Sequence, residues 1–193
     1  MENLAGAPPL AHDWRAQGRE SHTKNGAMPR MRLLLLLAVS LAGCRRVSFE
    51  DSVLTKPAVR YRVGELPERW HRVWLEGNDL AFSEEGTGRA LSINATCEGH
   101  DDPPLPVLTR HLLAGFTERR ELSQRLVPMA GREAMRSRYL AKMDGVPVQL
   151  ELVVLKKDNC VFDFSYVAPP GLAEERLADF EALMAGFESE RAR

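Results

Sequence analysis

Apolar and polar positions alternate along most of the chain after residue 58, which is the pattern of β-strands with one buried face. The clearest case places Arg89, Leu91, Ile93, Ala95 and Cys97 on one face of a strand. Two strand pieces are predicted before it, over residues 71–75 and 80–82, and further strands over 122–129, 133–143, 146–155 and 160–167. The dipeptide Asp144-Gly145 is a strong hairpin signal, so the later strands should form an antiparallel meander.

Two segments have the 3.6-residue periodicity of amphipathic helices. The first follows Pro103-Pro104 and carries a stripe made of Leu105, Leu108, Leu112, Leu113 and Phe116. The second follows Pro170-Gly171, and its stripe is Leu177, Phe180, Leu183, Met184 and Phe187. The predicted order is β-β-α-β-β-β-β-α. This order predicts one α+β domain over residues 58–190, in which two helices cover an antiparallel sheet.

The layout resembles PsbP-like proteins, which set a curved antiparallel sheet between helices in an α/β/α sandwich. The resemblance is carried by the Asp144-Gly145 hairpin, the strands at 146–155 and 160–166, and the final helix that ends at Gly186-Phe187. It covers roughly residues 60–188. It implies a fold and no activity, since that family contains mostly binding and assembly factors. A cystatin-like or other α+β layout would explain much of the same pattern.

Residues 28–44 have the pattern of an export signal. Arg30 and Arg32 precede an apolar run over residues 33–42, about half the roughly 20 residues that a membrane-spanning helix needs. The tetrapeptide Leu41-Ala42-Gly43-Cys44 resembles the bacterial lipobox, in which the cysteine receives a diacylglycerol and becomes the acylated N-terminus after cleavage. The resemblance implies a signal peptide at 28–43, lipidation of Cys44, and a lipidated N-terminus and tether at 44–57.

Residues 1–27 do not have the composition of a leader, because they include Pro8, Pro9, Asp13 and Glu20. We expect them to be a misassigned upstream start or an extended, disordered n-region. Arg45 follows the cysteine of the lipobox. In the lipoproteins that the leader resembles, an Asp at this position retains the protein in the inner membrane. The expected location is therefore the outer membrane, with the domain facing the periplasm.

The net charge limits the class of partner. The whole chain carries a net charge of −1, and its leader is positive, so the remainder is acidic. An acidic domain lacks the basic face that binding to nucleic acid requires. It is also unsuited to binding anionic lipid by charge alone.

Two of the three cysteines remain once Cys44 is assigned to lipid. Cys97 and Cys160 both fall on the apolar faces of predicted strands. An exported chain meets an oxidising compartment, so we expect a disulfide between them. The alternative is two buried free thiols that pack as small apolar groups. A metal site is not expected, because two separated cysteines lack the closely spaced ligand pairs of zinc sites.

Two groups of residues are candidates for chemistry. The segment His100-Asp101-Asp102 could activate a water molecule or hold a cation, or it is simply a polar loop that leads into a helix. Arg136 and Arg138, with Lys142, alternate along one strand face. That row could bind an anionic ligand, or it could form salt bridges with Glu151 and Asp163 on neighbouring strands.

The sequence therefore predicts a non-enzymatic, lipid-anchored lipoprotein that binds a protein partner or serves as an accessory factor of a cell-envelope assembly. We find no catalytic motif, and we expect no cofactor. The alternative is a small periplasmic hydrolase or ligand-binding protein that uses the His100 loop or the Arg136/Arg138 face.

Overall fold

A computed structural model of the protein describes residues 47–98 and 102–191. The signal peptide, Cys44, His100 and Asp101 lie outside the described residues. Within these ranges the chain forms eleven strands and two α-helices, which in chain order are β1 Ser48–Glu50, β2 Val53–Lys56, β3 Val59–Arg62, β4 Trp70–Val73, β5 Leu80–Glu84, β6 Arg89–Thr96, α1 Leu105–His111, β7 Phe116–Met129, β8 Arg132–Met143, β9 Val146–Lys157, β10 Cys160–Ala168, α2 Leu177–Ala185 and β11 Glu188–Arg191. Two short 3₁₀ helices, Pro170–Leu172 and Glu174–Arg176, precede α2.

The strands form two antiparallel sheets. The large sheet has the order β4-β5-β6-β10-β9-β8-β7, and the small sheet has the order β1-β2-β3-β11. The predicted hairpin between β8 and β9 is confirmed, with Asp144 and Gly145 both at positive φ, as a type I′ turn requires. The α+β class and the antiparallel meander are therefore confirmed.

The two helices cover opposite faces of the large sheet. We call the face that carries Phe162 and Phe164 the inner face. These rings pack in the main core with Phe180 and Leu183 of α2 and with residues of the small sheet. On the other face, which we call the outer face, α1 lies over β8 and β9 beside a smaller apolar cluster. Strand β9 is buried along most of its length, because it lies between β10 and β8 with cover on both sides.

The Asp79 carboxylate connects the small sheet to the large one. Lys56 of β2 donates to both carboxylate oxygens at 2.8 and 2.9 Å. The Tyr61 hydroxyl donates at 3.2 Å, and the backbone N–H of Ala95 in β6 donates at 2.9 Å. Lys56 also donates to the Ala95 carbonyl at 2.6 Å. Burial and the negative charge of Asp79 raise the pKa of Tyr61, so its hydroxyl keeps the proton that it donates.

The backbone of the loop after β3 packs directly against the end of α2. The Gly64 N–H donates to the Leu183 carbonyl at 2.8 Å. A Cβ at Gly64 would lie 2.0 Å from the Ala182 carbonyl oxygen, and a Cβ at Gly186 would lie 2.5 Å from the Gly64 Cα. Only glycine allows this approach. It lets the chain leave α2 and return as β11 beside β3.

The disulfide is confirmed. Cys97 and Cys160 are bonded to each other, with Cα atoms 4.0 Å apart and a sequence separation of 63. Cys97 directly follows β6, and Cys160 begins β10, which pairs with β6 so that Val161 is opposite Thr96. Loop-closure entropy for this separation is worth on the order of 4 kcal/mol at most.

Several boundaries differ from the sequence predictions. Part of the predicted tether forms β1 and β2, which were missed because strands this short show little alternation; they nevertheless bury Leu54. Strands β7 and β11 are mostly exposed and pair through their backbones, so neither carries a long apolar pattern. For this reason β11 was not predicted, and β7 begins six residues earlier than the predicted strand at 122–129. Helix α1 ends at His111, before the predicted stripe ends, and Phe116 begins β7. No helix in the described ranges is long and apolar enough to cross a membrane.

We expect Gly64→Ala to destabilise the protein, because the added methyl would overlap the backbone of α2. The loss in free energy of unfolding should be about 2–3 kcal/mol. Gly171→Ala is the matched control, since a Cβ there would meet no atom within 4 Å. Urea unfolding of both variants measures the difference. Equal stability of the two would show that α2 does not approach the loop this closely.

Candidate functional site

The arginine row lies on the inner face, where β8 brings it next to β9. Arg138 is paired across the strands with Glu151, and Arg136 with Val153. Glu151 is only 2% exposed and contacts both guanidinium groups. Its Oε2 lies 3.5 Å from Nε of Arg136, and its Oε1 accepts a hydrogen bond from Nε of Arg138. The buried carboxylate therefore binds the two arginines together.

Carboxylates from the C-terminal helical region occupy the remaining sides of the guanidinium groups. Arg136 Nη2 lies 3.1 Å from Oε1 of Glu181 in α2, and Arg138 Nη1 lies 3.0 Å from Oε1 of Glu174. Burial raises the pKa of Glu151, and the two arginines oppose that rise only in part. Each arginine thus forms ion pairs with two carboxylates. The sequence left open whether this row binds an anionic ligand or forms salt bridges within the protein, and the structure has the salt bridges.

Asp163 does not take part in this network, contrary to the expectation from sequence. It is paired with Asn94 on one side and Val154 on the other, whereas Phe164, its neighbour in β10, faces α2. Because side chains alternate along a strand, Asp163 points to the outer face. Strand β10 is also separated from β8 by β9, so the expectation that Asp163 lies on a strand next to the arginine row was wrong, and the strand order and register came only with the structure.

A groove opens between the β7–β8 hairpin and α2, beside Arg136. Its volume is about 390 Å³. The apolar part of its wall is formed by Val127, Met129, Val153, Met184 and Phe187. The Arg136–Glu181 ion pair supplies charge to the same wall. We call this cavity the β7–α2 groove.

The β7–α2 groove is suited to binding and offers no nucleophile. Its lining contains no Ser, Thr, Cys or His. Methionine side chains are flexible and adapt to different apolar shapes. Strand β7 is an edge of the large sheet, but Pro128 has no N–H to donate and such a residue discourages strand addition. The groove can therefore receive apolar side chains, with Arg136 and Glu181 available to orient a polar flank.

The outer face carries a polar row on β6 and β10 that lies away from α1. Asn94 is opposite Asp163, and Ser92 is opposite Ser165. Burial raises the pKa of Asp163 to about 6. Among the described side chains, none forms an ion pair with it. A carboxyl group of this kind is a possible acid or base, but the row lacks a histidine or cysteine partner.

The His100 candidate is described only in part. Asp102 accepts a hydrogen bond from Nζ of Lys156 at 2.5 Å, and His100 and Asp101 lie outside the described residues. Within residues 47–98 and 102–191, no group of three or more His, Cys, Asp or Glu side chains is placed to hold a metal ion.

Comparison with known proteins finds similar folds at low identity. No family model matches the chain, and no curated protein matches it. Among solved structures, the chain is similar to cyanobacterial PsbP (CyanoP) from Synechocystis, with a TM-score of 0.49, 10% identity, and coverage of 68% of this chain and 86% of that one. LpqN of Mycobacterium tuberculosis, involved in cell envelope biogenesis, gives 0.48 and 8%, with coverage of 69% and 84%. PA94 from Pseudomonas aeruginosa, a protein of unknown function, gives 0.43 and 13%, with coverage of 68% and 82%. Likeness at this level establishes neither a common family nor a common activity.

We expect Asp163 to make stability depend on pH. Its pKa is about 6 in the folded protein against an ordinary value of 3.8, so folding takes up a proton between these values. Below pH 4 the Asp163 carboxyl is neutral, and its burial does not require a charge to leave water. As pH rises through 6 the buried carboxyl must ionise, and the free energy of unfolding falls. Asp163→Asn should remove up to about 3 kcal/mol of that loss.

The measurement is urea unfolding of the wild type and Asp163→Asn at a series of pH values from 4 to 7. Asp144→Asn, at the exposed turn between β8 and β9, is the matched control and should follow the wild type. Parallel profiles for the wild type and Asp163→Asn would show that the Asp163 carboxyl is well solvated.

Proposed function

We propose that the protein is a lipid-anchored, extracytoplasmic lipoprotein that acts as a non-enzymatic binding factor of a cell-envelope assembly. The observation that carries the binding role is the β7–α2 groove, an open cavity with apolar walls and a single ion pair in its lining. The PsbP-like arrangement belongs to this proposal as well. It is supported by the two helices that lie on opposite faces of one antiparallel sheet.

The Cys97–Cys160 disulfide supports an extracytoplasmic location. Disulfides persist in oxidising compartments such as the periplasm and are rare in the cytosol. The leader with Leu41-Ala42-Gly43-Cys44 supports export with lipidation at Cys44. Three acyl chains on one N-terminus would exceed the two signals that stable membrane attachment usually needs. Arg45 after the cysteine favours the outer membrane.

The β7–α2 groove defines the chemistry of the partner. A partner segment that inserts one or two apolar side chains between Met129 and Met184 would remove both methionines from water, above Phe187, which is already buried. About 390 Å³ lies within the range of small-molecule pockets, so it suits a few side chains and not a whole domain. Glu181, which is exposed and already paired with Arg136, would accept from a donor on the flank of that segment.

A photo-crosslinking amino acid at Met184 tests this function in intact cells. The chain is expressed with its own leader and fed a palmitate label. We expect palmitate on the wild type and none on Cys44→Ser. We also expect one discrete crosslinked protein from position 184, which disappears when Met129→Glu is added to the groove wall.

Position 143 is the matched control, because Met143 is an exposed methionine in the β8–β9 hairpin outside the groove. It should give no discrete adduct. Retention of the disulfide and of the melting temperature shows that Met129→Glu has folded. Absence of palmitate would contradict the anchor. Equal crosslinking from positions 143 and 184, or none from 184, would contradict binding in the groove.

A further inference from the structure

The end of β4 and the loop that follows it expose three consecutive apolar residues. Val73 is 40% exposed, Trp74 89% and Leu75 48%. Trp74 is the most exposed large apolar side chain among the described residues. An exposed tryptophan flanked by apolar residues at the tip of a loop costs solubility, and such contiguous exposure usually marks an interaction surface. We call residues 73–75 the Trp74 tip.

The described chain begins at the same end of the fold as the Trp74 tip. The β1–β2 register pairs Ser48 with Thr55, so Val47, one residue earlier, lies beside Lys56. The Lys56 ammonium contacts Asp79 at 2.8 Å, and Asp79 closes the loop that begins with Trp74. These contacts place the start of β1 at the same end of the large sheet as the β4–β5 loop and the Trp74 tip.

Contacts made by Phe49 agree with this placement. The Phe49 ring packs edge-on against Phe82 of β5, with centroids 6.2 Å apart. The guanidinium carbon of Arg72 lies 4.9 Å from the Phe49 ring centroid. Arg72 precedes Trp74 by two residues, and Phe49 follows Val47 by two residues. The contact between Arg72 and Phe49 is therefore close in sequence both to the tip and to the start of β1. The first described strand therefore packs against the strand that leads into the tip.

We propose that the Trp74 tip lies in the interface of the lipid bilayer beside the anchor. This inference rests on the proposed lipidation of Cys44. Cys44 precedes Val47 by three positions, and a chain spans at most about 3.6 Å per residue. The acylated residue is thus held within about 11 Å of Val47, so the bilayer is kept at the end of the domain that carries Trp74.

The composition of the tip fits a lipid interface better than a dry protein interface. Tryptophan is enriched at membrane–water interfaces, where its ring meets acyl chains and its N–H meets headgroups. Arg72 next to the tip can contact phosphate groups. Val146 is also well exposed, but it lies after the Asp144-Gly145 turn, at the opposite end of the strands, and no anchor is near it.

Quenching of tryptophan fluorescence by brominated phospholipids tests the inference. The full chain is purified from membranes in detergent and reconstituted into phosphatidylethanolamine–phosphatidylglycerol vesicles with bromine near the top of the acyl chains. All variants carry Trp14→Phe, so that Trp70 and Trp74 are the only indoles. Trp70 is buried, and its indole N–H donates a hydrogen bond to the Asp179 carboxylate at 2.9 Å. Its fluorescence therefore reports on the interior of the domain.

With Trp70→Phe added, the emission of Trp74 should shift to shorter wavelength in vesicles and be largely lost with brominated lipid. With Trp74→Phe added, the emission of Trp70 should be unchanged. A third variant, Trp70→Phe, Trp74→Phe and Val146→Trp, places an exposed indole at the opposite end and should also keep its emission. Palmitate labelling and vesicle flotation are recorded for every sample.

The outcomes separate the two proposals. A chain without palmitate would overturn the anchor and this inference together. A labelled chain that floats while the Trp74 emission is unchanged would overturn only this inference, and the tip would then be available to a protein. Quenching of the indole at 146 as strongly as at 74 would also overturn it, because the domain would have no fixed orientation on the bilayer.

Discussion

The arrangement of the two sheets depends on one partly buried carboxylate. Asp79 accepts hydrogen bonds from Lys56, from the Tyr61 hydroxyl and from the backbone N–H of Ala95. These groups come from β2, β3 and β6, so a single side chain makes the polar contacts between the two sheets at the edge of the apolar core that they share. Carboxylates removed from water are stable only when their lone pairs are satisfied in this way. The same residue ends the loop that exposes Trp74, and it thereby fixes the start of β1 beside that loop.

The inner face of the large sheet positions the proposed binding site. This face is covered by α2 and the small sheet, and it has two charged groups among its apolar residues. Arg89 pairs with Glu84 and Glu175, and Glu151 holds Arg136 and Arg138. Breaking such a buried pair is costly even though forming it adds little stability, so the Glu151 network adds to the close approach of Gly64 and Gly186 in holding α2 in its position on the sheet. That position opens the β7–α2 groove. The proposed binding site and the proposed membrane contact thus occupy different places on the same domain.

Much of the fold could be predicted from the sequence, and the exceptions have physical causes. The burial of Leu91 and Ile93, the central position of β9 and the Cys97–Cys160 bond follow from alternation and composition. Strand β11 could not be predicted, because Glu188–Arg191 pairs through its backbone and leaves its side chains in water.

The candidate site was harder to predict than the fold. The Arg136/Arg138 row could be read from alternation, together with Glu151 as its partner. The groove could not, because it depends on where α2 lies on the sheet, and that position follows from the close approach of Gly64 and Gly186. The role of Asp79 was also missed. In the sequence it belongs to Gly77-Asn78-Asp79, which indicates a turn and gives no sign of partners 16 to 23 residues away.

The contact between Lys56 and Asp79 is the part of this account that a single experiment tests most directly. The measurement is a double-mutant cycle in the free energy of unfolding, with Lys56→Met, Asp79→Leu and the combined variant. Each single change leaves a charge without its partner, and each should cost about 2–4 kcal/mol. The combined variant should cost less than the sum of the two by at least about 1.5 kcal/mol. Additive losses would contradict the account, because they would mean that the two side chains do not hold the sheets together.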